Sequence, residues 1–479
     1  MTNQPTTNPK EKLWVGPKAR WVPIMVLVLV AVCAAALTWF LTTIFENKQE
    51  AKAPFTHVVN VDDTTYDPAV WGQNFPREYE GHIATREMSE DPLKTVTREA
   101  TAEDPRTRVA TSKLELDPRL VTMWQGYAFS VDYRKPRGHE YMLEDQQLTR
   151  RTQEFKQPGA CLNCHASLPE VMDSLGNGDR DAGWAAMNKL PYGEAVQHAK
   201  GPIACIDCHE PGTMKLRATR PAFIEGIARY KENVEGIKDY DVNRDASVQE
   251  MRSFVCAQCH VEYYFKGEEK TLTFPWTYGF EATDAIKFYD EVGWTDFEHK
   301  LTGANVIKAQ HPDFETWAQG THAANGVTCA DCHMAYKRDG AQKITDHQIA
   351  SPMRSPESIN QTCLTCHHAT EEEMAQRVDT IQERWQGSVD VAFDALDALI
   401  KDLEANKDTA DPAALAKARD FQRWAQFLVD MNVSENSHGF HAPQYQTALL
   451  NQATDYARKG QLALHGIDVG PVTASGQNG

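Results

Sequence analysis

Five copies of one short motif, Cys-x-x-Cys-His, constrain this chain more than any other feature. They use ten of its eleven cysteines, each followed at once by a histidine: Cys161, Cys164, His165; Cys205, Cys208, His209; Cys256, Cys259, His260; Cys329, Cys332, His333; Cys363, Cys366, His367. Two thiols one helical turn apart can bond to the two vinyl groups of one porphyrin, and the adjoining histidine then becomes the proximal iron ligand. The pattern therefore predicts five covalently attached haem c groups.

Two other uses of paired cysteines compete with this interpretation. Cys-x-x-Cys is also half of many zinc or iron–sulfur sites, but those sites do not need a histidine after every second cysteine. A structural disulfide framework is disfavoured as well, because all five pairs share one spacing. Haem attachment remains the favoured interpretation.

The composition narrows the class of protein. The chain has 479 residues and a formal net charge of -18, which argues against nucleic acid as a partner and against a basic membrane-surface binder. Its hydrophobic fraction of 41% is somewhat low for a globular body. Five porphyrins would supply additional apolar surface around which a core could form.

An apolar segment near the N-terminus predicts export. Residues 21–45 carry no charge and are long enough to span a bilayer, and basic residues precede them within the predicted cytoplasmic tail, residues 1–20. A cleaved signal peptide, processed near Ala34–Ala36, is the alternative. We favour an uncleaved transmembrane anchor because the apolar run continues through Trp39 and Phe40. Cys33 lies inside this segment and is interpreted as a buried apolar residue.

The remainder predicts a mainly α fold with three parts. Residues 46–75 are polar and are predicted to be a tether, while residues 76–370 hold all five motifs among short helices and loops. Residues 371–479 change to long helices, with apolar stripes at helical spacing around Leu396 and Phe427. Asp411-Pro412 predicts one helix start, and a further helix is expected at about residues 444–464. We expect these stripes to be mainly core, with a dimer face as the alternative.

Iron ligation decides between an electron wire and an enzyme. A haem with histidine on both faces only transfers electrons, whereas a haem with one open face can bind a substrate. Of 17 histidines, five belong to the motifs, and the remaining twelve are enough to fill every iron. Counting histidines therefore leaves both alternatives open.

Seven blocks around the motifs are more specific. They run WQGYAF (124–129), PRGHEYMLED (136–145), CAQCHVEYYF (256–265), KAQHPDFETW (308–317), THAANGVTCADCHM (321–334), ITDHQI (344–349) and NSHGFHAP (436–443). In composition and order they resemble the pentahaem, ammonia-forming cytochrome c nitrite reductases, over about residues 124–444. The resemblance implies a multihaem cytochrome c body that reduces nitrite.

The same resemblance implies roles for individual residues. Arg151, Tyr263 and His311 match the polar groups over the open haem, which would be the haem at Cys161–Cys164. A fixed guanidinium can hold a small anion, and a histidine can donate hydrogen bonds and protons. The distal ligands carried over are His139, His322, His347 and His441, four histidines for five irons.

Each catalytic assignment has a structural alternative. Arg151 follows Arg150, and either could pair with haem propionates. Tyr263 could be a packed aromatic residue, and His311 could be a distal ligand or a surface histidine.

A calcium site is implied by resemblance alone. Its residues would be Glu262, Tyr263, Lys308 and Gln310, supplying a carboxylate, an amide and backbone carbonyls, which suit a hard cation. The ion would hold Tyr263 and His311 in place.

One position departs from the family pattern. Most members have lysine where this chain has His165, although some carry histidine there. Imidazole and amine differ as axial donors, so the potential and substrate preference of this iron are in question.

The expected function is therefore reduction of nitrite to ammonium on the periplasmic side of the cytoplasmic membrane. A quinol-oxidising membrane cytochrome or a soluble multihaem protein would donate electrons, and a homodimer is expected by resemblance. The alternatives are a non-catalytic electron-transfer cytochrome, or reduction of hydroxylamine or sulfite.

Overall fold

The computed structural model describes residues 17–50, 57–87, 112–340 and 342–472. Helices dominate these residues, and the strands are short, as the mainly α prediction required. The chain divides into two compact units, one made of residues 1–56 with 338–344 and the other of residues 57–337 with 345–479. The second unit contains all five motifs.

The first unit contains one long helix, α1 (Pro17–Glu50). Its stretch Trp21–Phe45 has 25 residues with a mean hydropathy of 2.7, and its side chains are exposed rather than packed against protein. By length and composition this stretch could cross a membrane or serve as an export signal.

The body around the motifs is built from short helices of 4 to 13 residues. In chain order they are α2 (Pro68–Asn74), α3 (Pro76–Ile83), α4 (Lys113–Leu116), α5 (Arg119–Met123), α6 (Met142–Leu148), α7 (Arg150–Glu154), α8 (Leu162–His165), α9 (Leu168–Gly176), α10 (Arg180–Lys189), α11 (Tyr192–Ala195), α12 (Cys205–Cys208), α13 (Pro221–Asn233), α14 (Val242–Asp245), α15 (Val248–Ala257), α16 (Ala282–Glu291), α17 (Asp313–Ala318), α18 (Thr321–Ala324), α19 (Cys329–His333) and α20 (Pro356–Thr362). Pro opens several of them, because its missing N–H is not needed in the first turn.

Six short strands form three two-stranded sheets. They are β1 (Tyr264–Lys266), β2 (Thr271–Thr273), β3 (Phe297–Glu298), β4 (Asn305–Val306), β5 (Tyr336–Asp339) and β6 (Gln342–Thr345). The first pair is antiparallel, with Tyr264 opposite Thr273. Gly267 takes a φ of 68° in the connecting turn, a conformation that glycine adopts without a steric penalty.

Three long helices follow the last motif, as predicted: α21 (Glu371–Asn406), α22 (Pro412–Val433) and α23 (Pro443–Leu464). The predicted start at Asp411-Pro412 is confirmed, because the Asp411 carboxylate accepts hydrogen bonds from the N–H groups of Ala413 and Ala414. Thr370 and Glu373 cap α21 reciprocally. These caps satisfy backbone donors that the helices leave unpaired.

The two predicted apolar stripes form the core between these helices. Leu396 on α21 and Phe421 and Phe427 on α22 are fully buried in one cluster. Gly460 lets α23 approach α21 closely, since a Cβ there would lie 2.8 Å from Leu399. The stripes are therefore internal packing surfaces.

Residues 57–75, within the predicted tether, pack on the region of the second motif. Trp71 is buried with Ile206 of that motif. The Asn74 side-chain oxygen accepts hydrogen bonds from the N–H groups of Val58 and Val59 and holds the segment in place. The predicted boundaries between parts of the chain stay a prediction.

Candidate functional site

Each motif lies on a short helical turn, which places its two cysteines on one side. The N–H of His209 donates to the carbonyl of Cys205 at 2.9 Å, and the N–H of His367 donates to that of Cys363 at 2.9 Å. Side chains three positions apart share a helix face, so both thiols of a motif can reach one planar group. The following imidazole then projects beside them.

Four motif histidines each face a second histidine. The distances between ring centroids are 6.3 Å for His139 and His260, 6.1 Å for His209 and His347, 6.3 Å for His322 and His367, and 6.3 Å for His333 and His441. With a metal–nitrogen bond of about 2 Å, two imidazoles on one ion have centroids about 6.4 Å apart. The spacing of every pair therefore fits a single metal ion.

The fifth motif histidine, His165, has different surroundings. Within the described part of the chain, no second imidazole faces it in this way. Its Nδ1 lies 3.1 Å from the carbonyl oxygen of Met142, which directs Nε2 to the opposite side. Arg151 and His311 lie close enough to act electrostatically on His165, and Tyr263 acts in the same way on Cys161.

The neighbouring arginines Arg150 and Arg151 point in different directions. The Arg150 side chain is 55% exposed and pairs with Glu154 at 2.6 Å. Arg151 is turned inward, where its guanidinium donates to the carbonyl of Asp132 at 2.6 Å and lies 4.5 Å from the ring centre of Phe129. Burial lowers the pKa of Arg151, and the carboxylate of Asp132 opposes that shift.

His311 is held by two polar neighbours. Its Nδ1 lies 3.3 Å from the Asn436 side-chain nitrogen and 3.7 Å from the Asp313 carboxylate, and 43% of its side chain stays exposed. Desolvation lowers the pKa of His311, whereas Asp313 acts in the opposite sense. Tyr263 packs edge-on against Phe265, and burial raises its pKa well above the ordinary value. The phenol therefore stays a hydrogen-bond donor.

The four residues of the predicted calcium site also lie together. Glu262 is fully buried, and its two oxygens accept from the Tyr289 hydroxyl at 2.9 Å and from the Gln310 N–H at 2.5 Å. The Gln310 amide contacts the carbonyl oxygen of Lys308 at 3.0 Å. Burial raises the pKa of Glu262 well above its usual range, and Glu315 raises it further. A divalent cation would reverse that shift, so the donor set fits one.

Three further groups were not identified from the sequence. Arg220 is fully buried and bonds to two motifs at once, through Asn163 and Asp207. Asp313 contacts His260, and Glu435 contacts His441, each through a carboxylate. Asp313 lies inside one of the recognised blocks and Glu435 directly before another, so position was the only available signal.

The remaining motif and partner histidines contact backbone oxygens. Nδ1 lies 2.9 Å from the carbonyl of Met214 in His209, 3.2 Å from that of Ala350 in His333, and 2.8 Å from that of Thr345 in His347. A donor at Nδ1 leaves Nε2 free to bind a metal, which is the tautomer that metal-binding histidines need. The cysteine pairs and histidine orientations together fit attached haems.

Comparisons with known proteins agree with this arrangement. A family model described as cytochrome c552 matches residues 67–471. Cytochrome c-552 of Bacteroides fragilis is 36% identical over 448 residues, covering 90% of this chain and 84% of that protein. Cytochrome c-552 of Parabacteroides distasonis is 38% identical over 402 residues, covering 81% and 74%.

A solved structure is also similar. It is the cytochrome c nitrite reductase of Desulfovibrio desulfuricans, whose catalytic subunit NrfA is described with two calcium sites. The TM-score is 0.72 and the identity 27%, covering 85% of this chain and 88% of that one.

Proposed function

This chain belongs to the cytochrome c552 family, and we propose that it reduces nitrite to ammonium at a haem c with one open face, fed by four haems with histidine on both faces. Membership of a cytochrome c family implies haem c, and its similarity to a nitrite reductase supports the substrate. The five motifs give the number of haems.

One observation carries this proposal. Four motif histidines have a second imidazole at 6.1 to 6.3 Å, while His165 instead has Arg151 and His311 near it. We therefore assign His139, His347, His322 and His441 as distal ligands to the haems of His260, His209, His367 and His333, respectively. When bound, the haems supply single-electron transfers and the iron at His165 supplies a coordination position.

The polar residues near His165 suit an anionic substrate that must gain protons. Arg151 provides a fixed positive charge, and its bond to the Asp132 carbonyl holds the guanidinium in place. His311 presents an imidazole oriented by Asp313 and Asn436 that can hydrogen-bond the substrate and pass protons to it. Nitrite, six electrons and eight protons give ammonium and two waters, so proton delivery matters as much as electron supply.

We assign calcium to the cluster of Glu262, Tyr263, Lys308 and Gln310. The ion would bind the Glu262 carboxylate and the Gln310 amide oxygen together with the carbonyls of Tyr263 and Lys308. Glu262 and Gln310 each adjoin a proposed catalytic residue in the chain, Tyr263 and His311. Bound calcium would therefore limit the movement of both side chains.

The N-terminal helix supports an exported enzyme anchored on the periplasmic side of the cytoplasmic membrane. Its electron donor is a quinol-oxidising membrane cytochrome or a soluble multihaem protein. We also propose that the protein is a homodimer.

The decisive experiment measures ammonium formed from nitrite without oxygen, with reduced viologen as electron donor. We expect the holoprotein to form ammonium, and Arg151→Ala to lose about a hundredfold or more in kcat/KM, because one fixed charge-assisted donor is removed. Arg150→Ala is the matched control, since Arg150 pairs with Glu154 at the surface.

Each outcome has a clear meaning. A wild-type protein that forms no ammonium overturns the proposed reaction, and hydroxylamine and sulfite, assayed in parallel, identify a different substrate. Equal losses in the two arginine variants would remove the role assigned to Arg151.

A further inference from the structure

The histidines proposed as iron ligands differ in what holds their second ring nitrogen. Four of them, His165, His209, His333 and His347, have a neutral backbone carbonyl next to Nδ1. Two others, His260 and His441, have a carboxylate there instead. This difference rests on the ligand assignment under the proposed function, and it concerns the electron-transfer haems.

Asp313 is the partner of His260. Its Oδ2 lies 2.8 Å from Nδ1 of His260 and accepts from the Asn436 side-chain nitrogen at 2.9 Å, while Oδ1 accepts from the Asn436 N–H at 2.8 Å. Asp313 is itself buried at the start of α17. These bonds fix the carboxylate against the imidazole.

Glu435 is the partner of His441 and is still more enclosed. It is 1% exposed, and its Oε1 lies 2.6 Å from Nδ1 of His441 and accepts from the Ser437 N–H at 3.0 Å. Oε2 accepts from the Ser437 hydroxyl at 2.8 Å and from the Gln446 amide at 3.0 Å. Four donors therefore hold this carboxylate in its ionised form.

The two carboxylates belong to one cluster. Single ligand atoms of Asp313, Glu435 and His441 lie within 4.8 Å of one another, and Asp313 is similarly close to His260 and His311. Asn436 follows Glu435 in the chain and binds Asp313, which connects the two contacts through the backbone. Negative charge is therefore concentrated between two proposed haem ligands and the proposed active-site histidine.

We propose that Asp313 and Glu435 are positioning residues that orient His260 and His441 and lower the reduction potentials of the two haems that these histidines ligate. A carboxylate that accepts the Nδ1–H makes the imidazole a stronger donor through Nε2, which favours ferric over ferrous iron. A buried negative charge near the iron acts in the same direction. Backbone carbonyls, which carry no net charge, do this more weakly.

Redox titration of the purified holoprotein in the absence of nitrite tests this proposal independently of the enzymatic reaction. The variants are Asp313→Asn and Glu435→Gln, which keep the side-chain shape and remove the charge. We expect each variant to move one haem most, to a more positive midpoint potential. The expected change is about tenfold in the ratio of oxidised to reduced haem, or about 59 mV for a one-electron couple.

The control is Asp290→Asn, because Asp290 is a carboxylate that pairs with Arg423 and Trp424 and contacts no proposed ligand. Midpoint potentials unchanged in both test variants, or shifted equally in the control, overturn the proposal. So does loss of haem from the variants, measured by haem content per chain, because the carboxylates would then act in assembly. Failure of nitrite reduction alone leaves these potentials measurable and bears only on the proposed function.

Discussion

Arg220 and Asp207 form an ion pair of 2.6 Å in which both side chains are fully buried. The same guanidinium donates to the carbonyls of Asn163 and Ala166 at 3.1 and 3.2 Å. The variable positions of the first two motifs are thus joined through one side chain. The carbonyl bonds help to offset the cost of desolvating the pair.

Replacing Arg220 should destabilise the body strongly. In Arg220→Met the Asp207 carboxylate would remain buried without its cation, and we expect a loss of about 3–5 kcal/mol in the free energy of unfolding. Urea unfolding of the holoprotein, followed by circular dichroism, measures it. Arg244→Met is the control, because its pair with Asp245 is exposed and should matter little. Equal midpoints for the two variants would contradict the structural role of Arg220.

The spin state of the irons should reflect the histidine pairing. We expect one high-spin ferric haem and four low-spin haems per chain, because only His165 has no facing imidazole among the residues described. Electron paramagnetic resonance of the oxidised protein, with haem quantified per chain, measures the proportions. Five low-spin haems would indicate a protein that only transfers electrons.

Calcium should stabilise the protein through Glu262. We expect chelation to lower the melting temperature and added calcium to restore it, since a ligand at a hundred times its Kd stabilises by about 2.7 kcal/mol. Glu262→Gln should bind one calcium fewer than the wild type by elemental analysis. Glu268→Gln, at an exposed position, should bind calcium as the wild type does. Equal calcium content in both variants would remove the site from Glu262.

Acid should weaken the helix that leads into the third motif. Burial raises the pKa of Glu250, but hydrogen bonds from Ser247 and Lys231 outweigh it and bring the pKa below the ordinary 4.5. The ionised carboxylate therefore stabilises the fold above pH 4.5, and this contribution is lost as the pH falls through the lowered pKa.

The variant Glu250→Gln should lose about 1 kcal/mol at neutral pH, as expected for a damaged helix cap. It should differ less from the wild type in acid. Thermal unfolding at several pH values measures this, with Glu268→Gln as control. A difference that stays constant across the pH range would show that ionisation of Glu250 is not involved.

The N-terminal helix should retain the chain in the membrane. We expect the full-length protein to stay with membranes through an alkaline carbonate wash, and mass spectrometry to find Trp39 and Phe40 in the mature chain. A form with residues 1–45 replaced by a cleavable export signal should be released as soluble protein. A mature chain that begins after Ala36 would instead identify a signal peptide.

Much of the fold could be predicted because its signals are local. The stripe around Leu396 has helical spacing, and Asp411-Pro412 is a local start signal, so both are visible in the sequence. The packing of Trp71 on Ile206 could not be predicted, because it joins residues more than a hundred positions apart without a periodic pattern.

The site shows the same division. The motif spacing indicated the haem-attachment residues directly, whereas the partner of each distal histidine depends on three-dimensional proximity. His139 faces the histidine of the third motif rather than that of the nearby first motif. The carboxylates of Asp313 and Glu435 escaped notice because acidic residues are common, and only their contacts set them apart.

The carbonyl contacts of His165, His209, His333 and His347 have an evolutionary consequence. No point mutation deletes a main-chain oxygen, so these four imidazoles are insulated from single-codon change at the group that orients them. Relatives that need a different driving force can alter it in one step only where a side chain holds the ring. Natural variation in electron affinity should therefore concentrate at two positions in this family and leave the others nearly invariant.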